Sequence, residues 1–182
     1  MTRLEAPLLA DAIDGLNRWQ AATPQQEQLR SDFVHHLVQH PDGWSRDCRP
    51  DHLTASAVVL DHNRQQVLLA LHRKVGLWLQ FGGHIEPTDV SVLAAARREA
   101  VEESGIDDLT MVGDTPLQLD RHTAPCDQMA RHHLDVQYLA LTDAAQRPVT
   151  SAESLQVQWF SVNDLPEQTD DAVRSLVAAA TR

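Results

Sequence analysis

Three glutamates, Glu99, Glu102 and Glu103, stand at i, i+3 and i+4. At about 100° per residue they share one face of a helix. Carboxylates so placed repel one another, and even an exposed i,i+4 pair such as Glu99–Glu103 costs roughly a few tenths of a kcal/mol. Arg98 is spaced to pair with Glu102 and offsets part of this. A hard divalent cation removes the rest, because Mg²⁺ takes oxygen ligands and commonly bridges carboxylates to phosphate. Just upstream, Gly82-Gly83 follow the apolar run Leu77 to Phe81. Glycines there let the backbone turn sharply and approach a ligand closely. A strand, two glycines and an acidic helix in succession place a metal and an anionic substrate at the edge of a sheet. An acidic run alone usually means a solvated helix face. The glycines and the Arg98-Glu99 pair at this spacing favour the metal site.

Charge and composition narrow the partners. With 15 basic and 26 acidic residues the chain carries −11, a surface that repels nucleic-acid phosphate and anionic lipid. A polyanionic substrate needs cations brought with it. No apolar run approaches the roughly 20 residues that span a bilayer, and the start, MTRLEAPLLADAIDGL, has no secretory pattern. Cys48 and Cys126 are the only cysteines, so a disulfide framework is excluded and reduced thiols in the cytoplasm are the expectation. His132-His133 with Asp135 invite a zinc reading. Along a strand, however, His133 and Asp135 face one side and His132 the other. Two ligands without a third favour an ordinary strand.

The elements that must position these residues follow from periodicity. Leu9, Ile13, Leu16 and Trp19 recur at helical spacing between residues 6 and 20. Thr23, Pro24 and Gln26 form an N-cap, a first-turn proline and a capping box. A second stripe, Leu29, Phe33, Leu37 and Val38, then runs to His40-Pro41-Asp42-Gly43. This helical extension, residues 1–49, is too short for a core of its own and needs cover from the rest of the chain or from a second copy. From residue 50 the period changes. Strands are expected at Thr54 to Leu60 and Gln66 to Leu71, joined by a hairpin turn at 61–64, and at Leu77 to Phe81, ended by Gly82-Gly83. After the helix Val90 to Ser104, stopped by Gly105, come strands near 108–112, 117–122, 134–141 and 155–160, then a last helix over 170–180. Such an order predicts an α/β fold, a mixed β-sheet with helices on both faces.

The stretch from Gly83 to Ile106 resembles the Nudix box, G-x5-E-x7-R-E-U-x-E-E-x-G-U with U aliphatic. It supplies Gly83, Asp89, Arg98, Glu99, Ala100, Glu102, Glu103, Gly105 and Ile106. Three positions depart from the pattern. Asp89 stands for glutamate, eight residues rather than seven precede Arg98, and Ala100 is small. The resemblance implies a Nudix αβα sandwich over 50–182, preceded by the helical extension. It also implies a Mg²⁺- or Mn²⁺-dependent pyrophosphohydrolase that cleaves a diphosphate linkage in a nucleoside diphosphate derivative. Glu99, Glu102 and Glu103 would hold metal. Glu99 would polarise water, Arg98 would orient a box glutamate, and Gly83 would shape the loop. Glu153, in a segment similar to the late loop of these enzymes, would add a metal ligand, against the alternative of an exposed loop glutamate. Arg73, Lys74 and His84 are the candidates to touch substrate. Trp78 is assigned to core packing before base stacking. Many members form homodimers, which would also cover the extension.

Two other readings compete with this one. Isoprenoid diphosphate isomerases share the fold and resemble the chain around Trp78 to His84, but Gly82 stands where they need a cysteine. A Nudix sensor that binds a nucleotide derivative without cleaving it usually loses a box glutamate or carries a DNA-binding domain. This chain keeps all three glutamates.

Overall fold

The computed structural model describes residues 5–123, 132–152 and 154–182. Helices α1 (Glu5–Arg18) and α2 (Pro24–Gln39) precede strands β1 (Asp51–Asp61), β2 (Gln66–His72), β3 (Trp78–Leu79) and β4 (Phe81–His84). Helix α3 (Val92–Ser104) follows, then β5 (Thr110–Met111), β6 (Gln118–Thr123), β7 (His132–Thr142), β8 (Ser154–Ser161) and α4 (Asp171–Ala180). Among the described residues no helix is long and apolar enough to cross a membrane.

The eight strands form one mixed sheet with β1 at its centre. β1 runs parallel to β7 along its whole length, while its other edge is shared by β4 (at Thr54 to Ala57) and β2 (at Val59 and Leu60), both antiparallel. Buried on both faces, β1 alternates between two cores. Leu53, Ala55, Ala57 and Val59 pack on the α3 side with Ala95, Ala96 and Ala100, whereas Val58 and Leu60 pack with Val173, Leu176 and Val177 of α4. The alanines of α3, Ala100 among them, bring that helix close to the sheet. The helix is capped by Ser91, whose hydroxyl accepts from the Ala94 N–H at 3.0 Å, and stopped by Gly105 at φ 69°.

The extension docks on this body. Leu8, Ala12, Leu16, Trp19, Phe33 and Leu37 share one core with Leu53, Val92, Leu119 and Tyr138. In α1 the deepest stripe therefore starts at Leu8 rather than Leu9. Val38, expected in the second stripe, is exposed. Thr23 caps α2 through the Gln26 N–H as expected, but the Gln26 side chain does not close a capping box. Its amide instead exchanges hydrogen bonds of 2.8 and 2.9 Å with the Leu119 backbone, joining α2 to β6. Asp11 of α1 accepts the Val92 N–H at 2.9 Å, which satisfies an orphan donor at the start of α3.

One expectation needs correction. The Leu77 to Phe81 run is two short strands, and Gly82-Gly83 do not end it but lie inside β4. Neither glycine has positive φ. Their role is to admit close neighbours on opposite faces, as described below.

Removing the Phe33 ring, which is fully buried between α2 and the sheet, should cost about 3–5 kcal/mol. Urea unfolding of Phe33→Ala is expected to show one transition at lower denaturant. A separate early melting of helix would show that the extension does not share the core.

Candidate active site

The acidic face of α3 lies against β4. An added Cβ at Gly83 would stand 2.7 Å from the carboxylate atoms of Glu99, so only glycine leaves that carboxylate its place. The next residue back has the same restriction on the other face, because a Cβ at Gly82 would collide with Ser56 of β1. The Gly82 N–H donates to Glu103 Oε2 at 3.2 Å. Glu103 is thus tied to the β4 backbone and Glu99 lies against it, both half-buried, while Glu102 is exposed.

Arg98 holds the arrangement together. Its Nε and Nη2 donate to the two oxygens of Asp89 at 3.0 and 2.9 Å. Nη1 donates to Glu99 at 2.9 Å and to Glu102 at 3.3 Å, and Nη2 also reaches the His84 carbonyl at 3.0 Å. The hydrogen bond to Asp89, with those and the fields of Glu99 and Asp89, raises the Arg98 pKa despite its burial. Asp89 therefore accommodates the longer spacing, acting through the guanidinium. It also accepts the Glu86 N–H at 2.8 Å, which folds the 86–89 turn.

Carboxylate oxygens are the donors a hard cation takes. Glu99, Glu102 and Glu103 come from one turn of α3, and the Glu99 carboxylate lies directly over Gly83, where any side chain would displace it. The other candidates are placed as follows. Arg73 donates to the backbone carbonyls of Ala152 and Ser154 at 3.0 and 3.1 Å, so it ties the turn after β2 to the start of β8. Lys74 is exposed in that turn. His84 is half-buried in β4, and Glu153 lies outside the described residues, as does Cys126. Trp78 is buried edge-on to Phe160, ring centroids 4.7 Å apart, a core residue.

A polar layer escaped the sequence reading. On the sheet face opposite α3, β1 presents His52, Thr54 and Ser56, and β7 presents His133, Asp135 and Gln137 in register with them. β6 adds Gln118, Asp120 and His122 beside these. Most are buried. Asp135 accepts from Thr54 (2.9 Å), Ser56 (2.7 Å) and Gln137 (3.0 Å), so the buried carboxylate at the middle of the layer is satisfied. The signal was present as strict alternation in HLTAS and HHLDVQ, but nothing local shows that segments some 80 residues apart are neighbours.

Comparison with known proteins places this geometry. A family model, NUDIX domain, matches residues 50–180. The chain belongs to the Nudix family of hydrolases. No curated protein matches it. Among solved structures it is similar to a NUDIX-family hydrolase from Clostridium perfringens, at 24% identity and TM-score 0.61, covering 71% of this chain and 95% of that one. It is also similar to an Ap4A hydrolase of C. elegans (20%, TM-score 0.58, 70% and 93%) and to the NUDIX domain of Shewanella oneidensis NrtR, solved with ADP ribose (21%, TM-score 0.57, 81% and 95%). At these identities the likeness is one of fold. The Nudix match begins after the two helices of the extension, which pack on it.

Two outcomes are expected. Gly83→Ala should displace the Glu99 carboxylate and weaken Mn²⁺ binding on the order of 10- to 100-fold, read by electron paramagnetic resonance with the circular dichroism unchanged. At the polar layer, burial opposes the charge on His122. The hydrogen bond with Asp120 (2.8 Å) and the fields of Asp135, Asp120 and Asp170 outweigh it, so its pKa is raised. A raised value stabilises the fold below the ordinary histidine pKa, and that contribution is lost as pH rises through the folded value. In Asp120→Asn the His122 NMR titration midpoint should fall.

Proposed function

We propose that the chain hydrolyses a diphosphate linkage in a nucleoside diphosphate derivative, with Mg²⁺ or Mn²⁺ as cofactor. The observation that carries this reading is the trio Glu99, Glu102 and Glu103 on one helix face, two of them seated on glycines of β4. These three would hold the metal. When bound, it supplies charge neutralisation of the diphosphate and a water acidified for attack. A chain of net charge −11 then meets an anionic substrate without repelling it.

The protein's own groups have distinct tasks in this reading. Glu99, hydrogen-bonded to Arg98, is held in one orientation and can take a proton from the attacking water. Arg98 positions rather than reacts, because its donors are committed to Asp89, Glu99, Glu102 and the His84 carbonyl. Glu103 is fixed by the Gly82 N–H. Of the two basic residues after β2, Lys74 would meet phosphate, because the Arg73 guanidinium donates to the Ala152 and Ser154 carbonyls. His84, beside Gly83, would contact substrate.

The deciding experiment is a panel of nucleoside triphosphates, ADP-ribose, nucleotide sugars and dinucleotides, assayed with Mg²⁺ and with Mn²⁺. Metal-dependent release of a monophosphate is expected from at least one, with the rate rising toward alkaline pH as the bound water ionises. Tight binding of the panel without turnover would favour the sensor instead. Glu103→Gln keeps the side-chain volume and removes one charge, so the rate should fall on the order of 100-fold or more with the thermal transition retained. An unchanged rate would overturn the assignment of Glu103.

A further inference from the structure

We propose a second metal site, separate from the acidic helix, in which His52, His84 and His133 bind a Zn²⁺-class ion. The three imidazoles come from three strands, β1, β4 and β7, and each can place a ligand nitrogen within 4.8 Å of the other two. Their ring centroids are 5.0 to 5.3 Å apart. Register explains the meeting. His52 stands directly across from His133, and His84 is across from Thr54, the next residue of β1 on the same face. Of the His132-His133-Asp135 stretch only His133 takes part, and the other two ligands come from two other strands.

The geometry is near that of a bound ion. Nitrogens about 2.0–2.1 Å from a tetrahedral zinc lie roughly 3.3–3.4 Å from one another. Starting within 4.8 Å, each nitrogen has to move by less than about 1 Å, a distance that side-chain torsions cover. His52 is already oriented. Its Nδ1 lies 3.4 Å from the Cys48 carbonyl, so the Nδ1–H tautomer presents Nε2 as the ligand, the carbonyl-to-histidine support common around metal-bound imidazoles. His52 and His133 are buried and His84 is half-buried, so the cluster meets solvent at β4.

Donor chemistry selects the ion. Imidazole nitrogens suit Zn²⁺, Co²⁺, Ni²⁺ or Cu²⁺, whereas Mg²⁺ takes oxygens and would be left to the α3 carboxylates. Three protein ligands leave a fourth position for water or an anionic oxygen, as in zinc sites that do chemistry. That position would sit next to Gly83 on the strand that seats Glu99 and Glu103, on the polar-layer side of the sheet.

The test is metal binding to the chelator-stripped full chain, read apart from any turnover. Co²⁺ titrated in excess Mg²⁺ should give the visible bands of a four-coordinate ion at one equivalent, and X-ray absorption should show imidazole scattering. His84→Gln and His133→Gln should weaken Co²⁺ binding at least about 100-fold, while Glu103→Gln leaves it unchanged. Absence of the four-coordinate spectrum, or a shell of oxygens only, overturns the proposal. So does a spectrum that survives both histidine variants or disappears in Glu103→Gln. Should His133→Gln not fold, the wild-type scattering decides alone, since an imidazole shell supports the site and its absence refutes it.

Discussion

Everything at the acidic face depends on keeping like charges together on one turn of α3. Two carboxylates about 5–6 Å apart in a half-buried place repel by roughly 3 kcal/mol at an effective dielectric constant near 20. The fold answers with one guanidinium and one backbone. Arg98 spreads its donors over Asp89, Glu99, Glu102 and a carbonyl, while β4 offers an N–H to Glu103 and an empty cradle to Glu99. In the function proposed above, a metal would relieve the repulsion that remains.

The sheet beneath has two chemically different faces, and β1 carries both. Toward α3 it is apolar from Leu53 to Val59. Toward α4 it is apolar only at Val58 and Leu60, and polar from His52 to Ser56. Buried polar side chains are tolerable only when bonded, and Asp135 with its three donors meets that need. A polar layer placed inside a sheet, beside the strand that carries the glutamates, concentrates the chemistry of the molecule around β4. The extension contributes from behind, since α1 and α2 share the core and Asp11 secures the first turn of α3.

Much of this was legible locally. The helices, the cap at Thr23, the stop at Gly105 and the hairpin at 61–64 all follow from residues within a turn or two of each other. The acidic trio was legible for the same reason, being one turn of one helix. Three things were not. Gly82-Gly83 looked like a turn because glycine's freedom is visible in sequence, while the side chain that will crowd it is not. Gln26 looked like a capping-box residue because the competing partner, the Leu119 backbone, is 93 positions away. Val38 looked buried because a stripe's edge depends on what packs against it.

Sequence by itself determined the family and, apart from the run at 77–84, the order of elements, because each rests on short-range spacing: carboxylates on one turn, period-two strands, capped helices. Tertiary structure alone decided that Asp89 reaches Arg98, that the extension lies on the sheet, and that histidines from positions 52, 84 and 133 meet. The meeting of the histidines rests on strand register and on a parallel pairing across some 80 residues, and register is set by the burial of whole faces rather than by any local signal.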